Sequence, residues 1–305
     1  MSGKIKIFLS LIISMFFLTS CSLPFLDSGS TGEGIVIAGG NTSERQILSE
    51  IQKQMIEHYM DDVDVEIINN LGSTVLIVQT FLKDICNMSG AMYTGTSLTG
   101  ELNMEPELNP KTALTKVKQG YKEKFDMKWY DSYGFENTYA FMVRRDFAQK
   151  HNLKKISDLK ELAPTLKLGV DVAWIRRKGD GYEDFKAKYK FDFEKAYPME
   201  IGLVYDAVRN NEMDIVLGYS TDGRISSYDL VILEDDLRIF PSYDACPVAS
   251  YKLLEKYPKL DTVINKLIGK IDSATMQKLN SMSDEQQIEP QNVAKKFLEE
   301  NNYFE

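Results

Sequence analysis

The chain is poor in the residues that build metal centres and covalent staples. Among 305 residues there are two histidines, His58 and His151, and three cysteines, Cys21, Cys86 and Cys246. A transition-metal site needs three or four such ligands at short spacing, so none is expected and no cofactor is called for. Cys86 and Cys246 could pair in an oxidising compartment, but they carry no spacing signature and read as small core residues. Also missing are a Walker-type Gly-Lys-Ser/Thr loop, a G-x-G-x-x-G turn after a strand, a G-x-S-x-G elbow and an H-E-x-x-H helix. No pair of acids stands out as placed for proton transfer, and the many carboxylates read as a solvated surface. These absences turn the reading from catalysis to binding.

Positive charge is in deficit, and long apolar runs are absent beyond the start. Lys4 and Lys6 precede an apolar run from Ile7 to Leu18, followed by Thr19, Ser20 and Cys21. The run is too short for a stable span of roughly 18–20 residues and reads as a signal peptide over residues 1–20. Leu18-Thr-Ser-Cys21 resembles the bacterial lipobox, which implies acylation of Cys21 and a lipid anchor on the extracytoplasmic face of the membrane. A Ser/Gly-rich tether over 21–33 follows. Losing the leader lowers the basic count from 36 to 34 against 45 acids, a net charge near −11. Such a surface offers no phosphate-neutralising stripe, so nucleic acid is not an expected partner.

The rest of the chain alternates strand and helix patterns. Ile35 to Ala38 reads as a strand, and Thr42-Ser43 caps a helix with Ile47, Leu48, Ile51 and Met55 at helical spacing. Val63, Val65 and Ile67 alternate as in a strand, and a helix pattern runs from Ser73 to Leu82. This β-α-β-α opening favours a parallel sheet. Further on, strands are predicted at Tyr139–Val143, Leu166–Val170, Met213–Leu217, 230–233 and 237–240. Helices are predicted at 158–162, capped by Ser157, and around Val204, Ala207 and Val208. From Leu253 onward the pattern is mostly helical, with Val263, Ile264, Leu267 and Ile271 on one face.

Four segments place a tyrosine at or beside the end of an apolar stretch, next to small polar residues. They are Tyr93-Thr-Gly-Thr96, Gly134-Phe-Glu-Asn-Thr-Tyr139-Ala-Phe, Gly218-Tyr219-Ser-Thr-Asp-Gly-Arg224 and Pro241-Ser-Tyr243-Asp. Open α/β sheets hold ligand-contacting residues at strand ends. In this order, and from about Gly34 to the C-terminus, the segments resemble the substrate-binding proteins of glycine betaine, carnitine and choline importers.

The resemblance implies an α/β, two-lobe fold of the type II periplasmic-binding-protein kind, with the ligand in the cleft between lobes. Lobe 1 is expected over 34–133 and 225–305, and lobe 2 over 134–224. It implies a cage of Tyr93, Tyr139, Tyr219 and Tyr243 around a quaternary ammonium. Such a cation has no N–H to donate, so ring faces suit it at roughly 0.5–2 kcal/mol each. Thr96 matches a position where threonine accompanies betaine-like zwitterions and aspartate accompanies choline. Asn41, in the turn Gly39-Gly40-Asn41, or the backbone N–H groups of that helix start, would face the ligand carboxylate. Met92 departs from a family position that is commonly polar. Partners implied are an ABC permease and, through it, an ATPase. Two other readings stay open at this stage, a choline-preferring binder and a surface lipoprotein with no transport role.

Overall fold

The computed structural model describes residues 34–305 apart from 173, 178 and 179. The leader, Cys21 and the tether lie outside the described residues. Strand β1 (Ile35–Ala38) ends at Gly39, and the Thr42 hydroxyl accepts from the Arg45 N–H to cap α1 (Ser43–Tyr59). The predicted stripe of Ile47, Leu48, Ile51 and Met55 is fully buried. Each such side chain stabilises the fold by roughly 1.5–3 kcal/mol. Strand β2 (Val65–Ile68) pairs in parallel with β1, and α2 (Thr74–Leu82), capped by Ser73, leads to β3 (Met88–Tyr93) on β1's other side. All six residues of β3 are buried, and a Cβ on Gly90 would lie 2.7 Å from the Ser49 backbone of α1. Glycine there lets the helix lie close on the sheet.

Two more helices, α3 (Thr94–Thr99) and α4 (Pro110–Phe125), precede β4 (Met127–Trp129). The chain then crosses to a second sheet, built from β5 (Tyr139–Arg144), β6 (Lys167–Asp171), β7 (Lys195–Met199), β8 (Ile215–Tyr219) and β9 (Leu230–Ile232). Its order is β7-β6-β8-β5-β9, with β5 antiparallel to both neighbours. Helices α5 (Arg145–His151), α6 (Tyr182–Tyr189), α7 (Ile201–Arg209) and α8 (Arg224–Ser227) connect these strands. The return crossing leads into β10 (Ala245–Ser250), which lies antiparallel between β3 and β4 and completes the first sheet as β2-β1-β3-β10-β4. The two crossings run side by side: Glu136 and Asp244 form an antiparallel bridge, and the Asn137 N–H donates to the Tyr243 carbonyl at 3.1 Å.

Helices α9 (Tyr251–Lys256), α10 (Pro258–Asn265), α11 (Ser273–Asp284) and α12 (Pro290–Glu300) fold back on the first lobe. Val263, Ile264, Leu267 and Ile271 share one apolar cluster with α1, as their spacing predicts. Helix α11 also reaches the second lobe, where Gln277 Nε2 donates to the Ser220 carbonyl at 2.7 Å and Asn280 Nδ2 to the Thr221 carbonyl at 2.8 Å. A Cβ on Gly223 would lie 2.5 Å from the Ser281 Cα, so this glycine admits the helix.

Several expectations differ from the structure. Residues 237–240 form no strand, because Arg238 adopts a left-handed φ of 55° and the Asp235 carboxylate accepts from the Phe240 N–H. The helix expected at 158–162 is a 3-10 turn, Ile156–Leu159, whose start is held by the Asp158 carboxylate accepting from the Lys154 and Lys155 N–H groups. Strand β9 pairs with β5, and Leu233, Ile239 and Phe240 lie in the apolar cluster of the second sheet. Residues 230–233 and 239–240 thus pack with the second sheet. Cys86 and Cys246 are buried and unpaired, and burial raises both thiol pKa values.

Candidate functional site

Tyr93 closes β3, Tyr139 opens β5, Tyr219 closes β8 and Tyr243 sits on the return crossing. Tyr139 and Tyr219 are direct cross-strand partners, with ring centroids 5.2 Å apart and planes tilted by 31°. All four tyrosines line one cavity of about 380 Å³ between the two sheets, together with Asn41 and Thr96. Small-molecule sites commonly enclose about 300–1,000 Å³, so this cavity suits a compact ligand. Met92 lies elsewhere, buried in the core on the other face of the first sheet.

Each tyrosine has a hydrogen-bond partner. The Tyr93 hydroxyl donates to Glu44 Oε1 at 2.5 Å, and Glu44 also accepts from Asn137 Nδ2 at 3.0 Å and Asn280 Nδ2 at 3.3 Å. Burial and the Glu44 charge hold the Tyr93 phenol well above its ordinary pKa, so it stays a donor. Tyr139 donates to Asp171 Oδ2 at 2.8 Å, and burial first, then the neighbouring Tyr219, raises its pKa. The Tyr219 N–H donates to the Tyr205 hydroxyl at 2.7 Å, and the residue as a whole is 37% exposed. Tyr243 accepts from Arg177 Nη2, and burial pushes its phenol up to about 12.

Two arginines were not singled out from the sequence. Arg177 leaves the loop after β6, ion-pairs with Asp180 at 2.6 Å, and holds its guanidinium 5.8 Å from the Tyr139 ring centroid and 6.0 Å from that of Tyr243. Arg45, in the first turn of α1, lies 5.0 Å over the Tyr93 ring. Both line the cavity. The available signal was Arg177's place beyond the C-terminal end of a strand of an α/β sheet. Asn137 and Thr138, inside the segment ending at Tyr139, also line the cavity, and Asn137 Oδ1 and Thr138 Oγ1 are buried without a hydrogen-bond partner.

The cavity thus has two characters. Its aromatic side is built from the four rings. The cavity also carries the starts of α1, at Asn41 and Thr42, and of α2, at Gly72, Ser73 and Thr74, with Thr96, while the Arg45 and Arg177 guanidinium groups lie against three of the rings. Helix N-termini present free N–H groups and the positive end of the macrodipole, which favour an anion. The Thr-Asp-Gly-Arg segment instead acts as a brace: Arg224 pairs with Asp222 at 2.7 Å, donates to the Gly202 carbonyl and stacks 4.2 Å over Tyr205. Among the described residues no three His, Cys, Asp or Glu side chains converge as a metal site, and no helix is long and apolar enough to cross a membrane.

Residues 33–300 match the family described as the substrate binding domain of an ABC-type glycine betaine transport system. The chain is 49% identical to the carnitine transport binding protein OpuCC of Listeria monocytogenes, over 97% of this chain and 95% of that one. It is 30% identical to a glycine-betaine-binding protein of Pseudomonas aeruginosa, over 94% of each. Among solved structures, one described as a glycine betaine/carnitine/choline ABC transporter superposes with a TM-score of 0.86 at 46% identity, covering 89% of this chain and all of that one. With two α/β lobes around one cavity and this agreement along almost its whole length, the chain belongs to the substrate-binding domain family of ABC-type glycine betaine transport systems, a family of binding proteins rather than enzymes.

Proposed function

We propose that the chain binds a small zwitterion with a quaternary ammonium head, glycine betaine or carnitine, and delivers it to an ABC permease driven by its ATPase. Tyr93, Tyr139, Tyr219 and Tyr243 hold the ammonium group on their faces. Asn41, Thr96 and the N-termini of α1 and α2 receive the carboxylate. The observation that carries this reading is that four tyrosines and two helix N-termini border one cavity of about 380 Å³. A trimethylammonium group holds water loosely and donates no hydrogen bond, so it favours rings at about 0.5–2 kcal/mol per contact. Its carboxylate favours the N–H groups at the starts of α1 and α2.

The relative named for carnitine transport supports a zwitterionic ligand. Thr96 supports it further, since a hydroxyl donates to a carboxylate that an aspartate would repel. Choline is the second reading, favoured by the similar solved structure whose description includes it. Acylated Cys21 would hold the protein on the extracytoplasmic face of the membrane, with the tether giving the lobes reach.

Calorimetric titration of the chain from residue 22 with glycine betaine, carnitine and choline tests the ligand class. The two zwitterions are expected to bind more tightly than choline. Choline binding most tightly would overturn the assignment of the carboxylate side, and heat from none of the three would overturn the reading.

A further inference from the structure

Behind the ring faces lies a second layer of groups with a chemistry of its own. Glu44 and Asp171 are 4% and 6% exposed and do not border the cavity, yet each accepts the hydroxyl proton of a cavity tyrosine. The two pairs sit in different lobes: Tyr93 with Glu44 in the first, Tyr139 with Asp171 in the second. The groups donating to Glu44, in the first turn of α1, are a phenol and two amides. A third carboxylate, Asp180, ion-pairs with Arg177, which donates to Tyr243.

We propose that Glu44 and Asp171 are positioning residues that set the site's preference for a cation, acting through the hydroxyls of Tyr93 and Tyr139. The inference rests on the reading of the four tyrosines as the ammonium site. A phenol donating to a carboxylate is polarised, with electron density shifted toward its oxygen and ring. The ring face therefore becomes more negative where the cation sits. In a poorly hydrated site the carboxylate charge adds to that attraction across the ring. Because the carboxylates are covered, they add negative charge behind the rings without themselves offering an acceptor to a protonated amine. The guanidinium groups of Arg45 and Arg177 over these rings are consistent with faces that attract cations.

The test compares glycine betaine with 3,3-dimethylbutanoate, which replaces the nitrogen by carbon and keeps shape and carboxylate. Glu44→Gln and Asp171→Asn are each expected to weaken glycine betaine by about 5- to 10-fold and the carbon analogue by less than about 2-fold. Equal loss on both ligands, or no loss on either, would overturn the proposal and leave the carboxylates as plain structural supports. A second arm needs only glycine betaine: in a Tyr93→Phe background the effect of Glu44→Gln is expected to shrink below about 2-fold, since the hydroxyl through which it acts is gone. A full loss there would overturn the route through Tyr93. The carboxylates lie in separate lobes, so either folded variant, checked by its thermal melt, suffices. If the unmodified protein binds neither glycine betaine nor carnitine, the reading of the site fails, and the inference with it. If it binds them and the variants behave like it, only the inference fails.

Discussion

Tyr219 and Tyr93 do different amounts of structural work, and their replacements separate binding from stability. Tyr219 is 37% exposed, whereas Tyr93 and Tyr243 are buried members of the first lobe's apolar cluster. Tyr219→Ala is expected to weaken glycine betaine binding by roughly 5- to 30-fold, the equivalent of one ring contact, with little change in melting temperature. Tyr93→Ala is expected to lower both, because it also opens a void beside α1 and strands Glu44 without its phenol donor. Titration and thermal melts of the two variants decide this, and equal destabilisation by both would contradict the division of roles. Thr96 tests the other end. Thr96→Asp sets a carboxylate against the ligand's own in a cleft where charges are weakly screened, so the ratio of affinities should move from glycine betaine toward choline. A ratio that holds at two salt concentrations would show that Thr96 does not face the carboxylate.

At the scale of elements, the site depends on close approaches that few residues permit. A Cβ on Gly95 would come 2.6 Å from the Ser242 carbonyl and 2.9 Å from the Tyr243 ring. Gly95→Ala is therefore expected to displace Tyr243 and weaken binding about as much as losing that ring, although position 95 touches no ligand. The paired crossings carry a pH signature. Burial first, and for Glu136 also the Asp244 charge, raises the pKa of both carboxyls, and one Ser242 hydroxyl lies 3.0 Å from Asp244 and 3.3 Å from Glu136. One proton cannot serve both acceptors at once. The folded values lie above the ordinary ones of 4.5 and 3.8, so these groups' contribution is full below that range and is lost as pH rises through the folded values. Asp244→Asn is expected to raise the melting temperature at pH 7 by roughly 2–4 °C, with the gain gone near pH 3.5. A gain independent of pH would contradict this account.

The elements legible in the sequence were those with local signals. Thr42 and Ser73 announced helix starts, and the 3.6-residue spacing of Ile47, Leu48, Ile51 and Met55 announced a buried face. Strand β3 escaped because Ser89-Gly90 interrupts its apolar pattern for the sake of α1. Strand β10 escaped because Pro247 lies at a register shift, a feature that only its neighbours define. The four tyrosines, Asn41 and Thr96 were legible as a set of segments and all border the cavity. Arg45 and Arg177 were not, since an arginine reads as surface until long-range contacts bring a ring beneath it.

At the scale of the molecule, two sheets share one cavity, joined by the paired crossings and by α11, which bonds across to Ser220 and Thr221. Glycine betaine has about eight heavy atoms, so a micromolar site asks for about −1 kcal/mol per atom, near the ceiling for very small ligands. A groove contacting one face would fall short. Tyr139 and Tyr219 belong to the second sheet and Tyr93 to the first, so a ligand touching all of them favours lobes drawn together. Solution scattering is expected to show a smaller radius of gyration at saturating glycine betaine, and an unchanged profile would contradict the clamp.

The most direct measurement is anomalous diffraction from crystals grown with the arsenic analogue of glycine betaine, in which a heavy, visible atom stands where the nitrogen would be. The account predicts one strong arsenic peak within about 6 Å of the Tyr93, Tyr139, Tyr219 and Tyr243 ring centroids, with the carboxylate directed toward Thr96 and the start of α1. An arsenic peak outside that cavity, or none in crystals of a protein that binds the analogue in solution, would contradict it.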